Sequence, residues 1–333
     1  MPRTNRLLFF ALALTLLGSA SPLSPAAGRP GQPSRGSGSR TAAHVQNGRI
    51  AFNLDPGTGA QILSVSLHGT DLRTLVHYPQ AAAESPAWSP RGHRLVYSRV
   101  DDSGCHIILA RPDGTHRRDL TGDRTGCESS PTFAPTGRRI VFVLQRCESC
   151  RTWIAAMSLS GTHRHRILAV APNTNPEDVV VSPDGRRLAF ESTFDPDLNA
   201  FHRALLVAHR DGTHLHTLVP YRFDVGVHFD WSSTGRWLVY TRWSESPPGH
   251  EANVVLTRPD GFRQKHLTRV RKAGLSAGGA TFSPDGRLIV YRFANANKER
   301  FWLCTMGLYG AHKTRIRELA APPQGTAWAP TVH

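Results

Sequence analysis

The chain has 333 residues and 39% of them are apolar, enough for a packed core, which excludes a disordered polypeptide. The formal net charge is +15, and almost all of it is arginine, since lysine occurs only at positions 265, 272, 298 and 313. A balance this basic either solvates the surface or faces an anionic partner such as wall polymer, lipid headgroups or nucleic acid.

The N-terminus carries Arg3 and Arg6, the apolar run Leu7–Leu17, then Gly18-Ser19-Ala20. This order predicts a secretory signal peptide over 1–20. The run is too short to span a bilayer, so no transmembrane span is expected. No Cys follows it, so no lipoprotein anchor is expected either. Residues 21–43 are rich in Pro, Gly, Ser and Arg without periodicity and read as a flexible tether. The mature protein is expected to be secreted or periplasmic.

From residue 44 to 333 the chain repeats itself. An aromatic or apolar residue ends one strand, a Pro- and Gly-containing turn follows, and a short apolar strand leaves it. The phrase is fullest at Phe282-Ser283-Pro284-Asp285-Gly286-Arg287-Leu288-Ile289-Val290-Tyr291. It recurs from Trp88, Phe133, Val181 and Trp231. A second phrase alternates with it, as in Arg111-Pro112-Asp113-Gly114-Thr115-His116 and Arg210-Asp211-Gly212-Thr213-His214. Asp-Gly between two apolar runs is a hairpin signal. Each unit is therefore four antiparallel strands, A to D, with tight A–B and C–D turns. Units of about 45–50 residues with four strands each are propeller blades.

Turn glycines at 48, 92, 137, 185, 235 and 286, and at 69, 114, 161, 212, 261 and 310, count six blades. The first unit lacks an A strand, and the chain ends in Thr326-Ala327-Trp328-Ala329-Pro330, an A strand without a blade. The two fragments should join and latch the ring, which leaves no open sheet edge. The expected fold is an all-β, six-bladed β-propeller, acting as a monomer.

The Phe/Trp-Ser-Pro-Asp-Gly-Arg…Leu/Val-Tyr phrase resembles the repeat of TolB-like propellers, a WD-repeat-like family. It is also similar to the propeller domains of prolyl oligopeptidase-like enzymes. The resemblance covers about residues 44–333. It implies a six-bladed ring and says little about function, because many functions sit on propellers. No Gly-x-Ser-x-Gly elbow follows.

In such a ring the A–B and C–D turns share one face, and the B–C and D–A loops share the other. Arg94, Arg139, Arg187, Arg236 and Arg287 fall on the turn face, which is expected to be basic. The starts of the A strands converge on the channel mouth at the loop face. Glu84, Glu128, Glu177, Asp178, His228 and Asp230 fall there. Carboxylates and an imidazole at one mouth suit a cation, a basic peptide or general-base chemistry, or simply line a hydrated opening.

Cys105, Cys127, Cys147 and Cys150 lie on one face in neighbouring units, and the favoured pairs are Cys105–Cys127 and Cys147–Cys150. A four-thiolate zinc site or a redox pair are the alternatives. Cys304, in an apolar C strand, reads as a buried free thiol. No resident metal or other cofactor is expected. Net charge alone supports nucleic acid as a ligand, and secretion speaks against it.

The expected function is a non-catalytic binding scaffold for an envelope protein, peptide or anionic polymer, working through the loop face and channel mouth. The alternative is a propeller hydrolase or lyase acting on an anionic sugar or lactone at that mouth.

Overall fold

The computed structural model describes residues 46–57, 59–122, 126–146, 151–169, 174–194, 202–220, 225–243 and 251–331. The expected signal peptide and tether lie outside them, as do Cys147 and Cys150.

Among the described residues, twenty-four strands form six four-stranded antiparallel sheets. Blade 1 holds β1 (Gln46–Leu54), β2 (Gln61–Val65), β3 (Arg73–Val76) and, as its innermost strand, β24 (Pro323–Thr331). Blade 2 holds β4 (Ala82–Trp88), β5 (Leu95–Asp101), β6 (Gly104–Ala110) and β7 (Arg118–Asp119). Blade 3 holds β8 (Cys127–Phe133), β9 (Arg139–Arg146), β10 (Arg151–Ser158) and β11 (His165–Ala169). Blade 4 holds β12 (Thr174–Val181), β13 (Arg187–Phe194), β14 (His202–His209) and β15 (His216–Val219). Blade 5 holds β16 (Val225–Trp231), β17 (Leu238–Trp243), β18 (Ala252–Thr257) and β19 (Gln264–His266). Blade 6 holds β20 (Leu275–Phe282), β21 (Leu288–Asn295), β22 (Arg300–Gly307) and β23 (Thr314–Leu319).

The chain ends close the ring as expected. β24 pairs with β1, with Ile50 opposite Trp328, and the Trp328 indole N–H donates to the Gly48 carbonyl at 3.1 Å. The core is divided among the gaps between blades. Six clusters of buried apolar side chains each join one blade to the next, including Ile50, Phe52 and Trp328 of blade 1 with Val290 and Leu303 of blade 6. A strand pair buries little alone, so each sheet depends on two neighbours.

The repeated phrases have local causes. In the A–B turns the Ser hydroxyl accepts the N–H five residues on, as from Leu288 to Ser283 at 2.9 Å. The Asp carboxylate accepts the Ser hydroxyl and a turn N–H, as at Asp285 at 2.6 and 3.0 Å. Glycine then takes the left-handed conformation, at φ 71° for Gly286. The prolines reach to the next blade: a Cβ on Gly137 would stand 3.4 Å from the Pro90 ring. In the C–D turns the glycines lie on the preceding blade's backbone, and a Cβ on Gly114 would stand 2.0 Å from the Leu75 carbonyl oxygen. The recurrent histidines His116, His163, His214 and His312 are left-handed as well, with φ of 51–53°. They serve the turn, which accounts for their repetition.

Candidate functional site at the channel mouth

The six innermost strands β4, β8, β12, β16, β20 and β24 enclose an axial cavity of about 460 Å³. Pro90, Pro135, Pro183, Pro284 and Pro330 line its turn-face end. Towards the loop face every innermost strand carries a register shift within a residue of the same place. The residue four positions before the motif Ser or Ala marks this ring: Ser85, Ser130, Asp178, His228, Gly279 and Gly325. It lies within the shift in every strand but β12, where the shift falls at Glu177 and Asp178 pairs in register with Glu191. Five of these six are left-handed, at φ 50°, 49°, 76°, 61° and 45° for Ser85, Ser130, His228, Gly279 and Gly325. A bulge re-aims a side chain and leaves backbone groups unpaired in the ladder. The preceding blade satisfies some of them. The Ser98 hydroxyl accepts the Ser130 N–H at 3.2 Å, and the Thr241 hydroxyl accepts the Gly279 N–H at 2.9 Å.

Asp178 and His228 are the charged or titratable members of this ring, and they belong to adjacent blades. His228 Nδ1 lies 3.5 Å from Asp178 Oδ2. His228 Nε2 accepts the Gly325 N–H at 2.9 Å. That bond fixes the tautomer: Nε2 holds the lone pair, and Nδ1 carries the hydrogen towards Asp178. His228 is also a non-glycine residue at φ 76°, backbone strain at a functional candidate.

Asp230 lines the channel two residues further along β16 but is turned to blade 6. Its Oδ2 accepts the Thr281 hydroxyl at 2.6 Å and the Phe282 N–H at 2.9 Å. Burial pushes its carboxyl up to about 6, against the pull of these donors. The three other sequence-selected acids stand apart from the ring. Glu84 is partly buried, and burial, with the nearby Asp55 charge, holds its carboxyl above the usual range. Glu128 is buried and pairs with Arg164 of its own blade. Glu177 pairs with Arg203 at 3.0 Å, and Arg203 also reaches the fully buried Glu191 at 2.9 Å. Among the described residues no group of three His, Cys, Asp or Glu side chains is placed to hold a metal ion.

Two polar side chains of the B strands lie against the innermost strands, and residue type does not announce them. Arg292 of β21 is partly buried, donates to the Pro323 carbonyl at 3.2 Å, and is held below the usual guanidinium range by burial. Asn53 Oδ1 is buried, and a Cβ on Gly325 would stand 2.7 Å from it. The signal for both is positional: each follows the buried aromatic of a B strand, Tyr291 and Phe52, as Ser98 and Thr241 do.

Cys105 of β6 and Cys127 of β8 form a disulfide between blades 2 and 3, with Cα atoms 4.5 Å apart. Cys304 is buried and free, and burial raises its thiol to about 11. Of the five arginines expected on the turn face, Arg94, Arg139, Arg236 and Arg287 are exposed. Arg187 instead lies 4.8 Å over the Trp231 ring and donates to the Gly235 carbonyl.

The TolB beta propeller domain family matches residues 45–332. The chain belongs to that family. Among curated proteins no sequence matches it. Among solved structures, TolB from Acinetobacter baumannii superposes with a TM-score of 0.65 at 20% identity, over 85% of this chain and 66% of that one, just under two thirds. A chain of a nidogen/laminin complex gives 0.62 at 15% identity, over 84% of this chain and 98% of that one. An oligogalacturonate lyase in complex with manganese gives 0.54 at 10% identity, over 83% and 75%. At these identities the likeness is one of fold. Among the described residues, no helix is long and apolar enough to cross a membrane.

Proposed function

We propose that this TolB-family propeller is an extracytoplasmic, non-catalytic scaffold that holds a segment of a partner protein at its loop face and channel mouth. The observation that carries this reading is the ring of six bulges around a cavity of about 460 Å³. Bulged backbone offers N–H and C=O groups to an entering chain, and Asp178 offers a carboxylate to a basic side chain or amino terminus. A disulfide between blades suits an oxidising compartment. The nidogen/laminin neighbour is a propeller of this shape in a protein–protein complex.

The test is a photo-crosslinking residue placed at Ser85 or Ser130. One discrete adduct from both positions, lost in Asp178→Ala, is the expected result. Adducts that form equally from the blade edges would remove the channel mouth as the contact.

A second reading is a lyase or hydrolase acting on an anionic sugar, favoured by the Asp178–His228 pair and the lyase of like fold. Against it, the His228 lone pair is already taken by Gly325. Turnover of an acidic oligosaccharide that vanishes in Asp178→Asn would establish this reading in place of the scaffold.

A further inference from the structure

The large apolar side chains exposed among the described residues are Leu72, Leu215, Phe262 and Tyr309, at 37%, 46%, 88% and 55% exposure. All four stand in C–D turns, so all four project from the turn face. They belong to blades 1, 4, 5 and 6, which are consecutive around the ring. Single exposed apolar residues on a soluble protein need no explanation. Four on one face, along one arc, do.

The arc is also basic. Tyr309 meets Trp237 of blade 5 edge-on at 6.3 Å, and the Lys265 ammonium lies 5.5 Å from the Tyr309 ring centre. Arg236, Arg263 and Arg287 are exposed beside these rings and pair with no carboxylate among the described residues. The acids of this face are already engaged. Asp71 pairs with Arg49 and Arg73 at 2.8 and 2.6 Å. Asp211 accepts the Thr213 N–H and hydroxyl at 3.0 and 2.7 Å, and Asp285 is tied into its own turn. Asp260 lies 3.6 Å from Arg258 and also accepts the Phe262 N–H.

We propose that the turn face docks on an anionic lipid bilayer, with Phe262 and Tyr309 entering below the headgroups and the arginines meeting their phosphates. Separate apolar tips on turns of one face fit a flat, deformable surface, where aromatic rings and basic side chains act together. A soluble polyanion would engage the arginines and leave Phe262 in water. A protein partner would gather such rings into one packed core depleted of charge, and here they stand on separate turns among arginines. Docking here leaves the opposite face free, and the proposal does not depend on what the channel holds.

The test is co-sedimentation of the full chain with vesicles of phosphatidylglycerol and phosphatidylcholine, against vesicles of phosphatidylcholine alone. Binding to the anionic vesicles should weaken about fivefold for each of Arg236→Gln, Arg263→Gln and Arg287→Gln. It should weaken about tenfold for Phe262→Ser with Tyr309→Ser. Circular dichroism monitors folding, and all five positions are exposed. Two results overturn the proposal: no preference for anionic vesicles, or binding that soluble polyglutamate abolishes and the aromatic variant leaves unchanged. The second result would assign the face to a soluble anionic polymer.

Discussion

His228 and Gly325 are joined across the channel mouth by a 2.9 Å hydrogen bond from backbone N–H to imidazole Nε2, linking blade 5 to blade 1 past blade 6. The bond ties the last strand of the chain to a blade it does not pair with.

Because His228 is left-handed within a strand, its substitutions should divide by backbone tolerance. His228→Gly loses the bond but relieves strain, so the unfolding midpoint should move little. His228→Val loses the bond and places a β-branched residue at φ 76°, which should cost about 2–3 kcal/mol. Urea unfolding of both variants measures the difference, and equal losses would contradict it.

Gly114→Ala should be among the most damaging substitutions in the protein. The added methyl would lie 2.0 Å from the Leu75 carbonyl oxygen at φ 79°, so blades 1 and 2 must part. A loss of about 3 kcal/mol is expected, from overpacking and backbone strain together. Gly57→Ala, with nothing within 4 Å of the added methyl, is the control for a left-handed glycine without a neighbour.

Asp230 should make stability depend on pH. Burial raises its folded pKa to about 6, against about 3.9 in an unfolded chain. The folded state therefore binds this proton more tightly. The ionised carboxylate costs folding about 3 kcal/mol above pH 6, and the cost is gone below about pH 4. Relative to Asp230→Asn, the native protein should lose stability as pH rises from about 4 to about 6. Unfolding midpoints of both proteins across that range test it, and a constant gap would show that Asp230 is not the group responsible.

The Cys105–Cys127 bridge closes a segment with a sequence separation of 22. Replacing both residues by serine should cost about 3 kcal/mol, mostly by freeing the unfolded chain. Mass mapping without reductant should recover the Cys105–Cys127 peptide pair.

The local pattern determined the six blades, the tight turns and the shared blade of the two chain ends. These depend on residues a few positions apart: a proline that presets φ, a glycine that tolerates left-handed backbone, an alternation that selects one face of a strand. Asp178 and His228 could be chosen from the same pattern as neighbours at the mouth, since both stand four residues before the turn motif. What the pattern could not order was direction. Near the mouth each innermost strand is bulged, and a bulge breaks the period of two on which side-chain facing rests. Glu84 and Glu177 stand one residue before the ring, Glu128 two before it, and all three lie away from the Asp178–His228 pair; Asp230 lines the channel and clips blade 6. The arc of Leu215, Phe262, Tyr309 and Leu72 likewise spans well over a hundred residues of chain, counted through the ring closure. Only the closed ring puts these four along one arc, because closure alone decides which turns are neighbours.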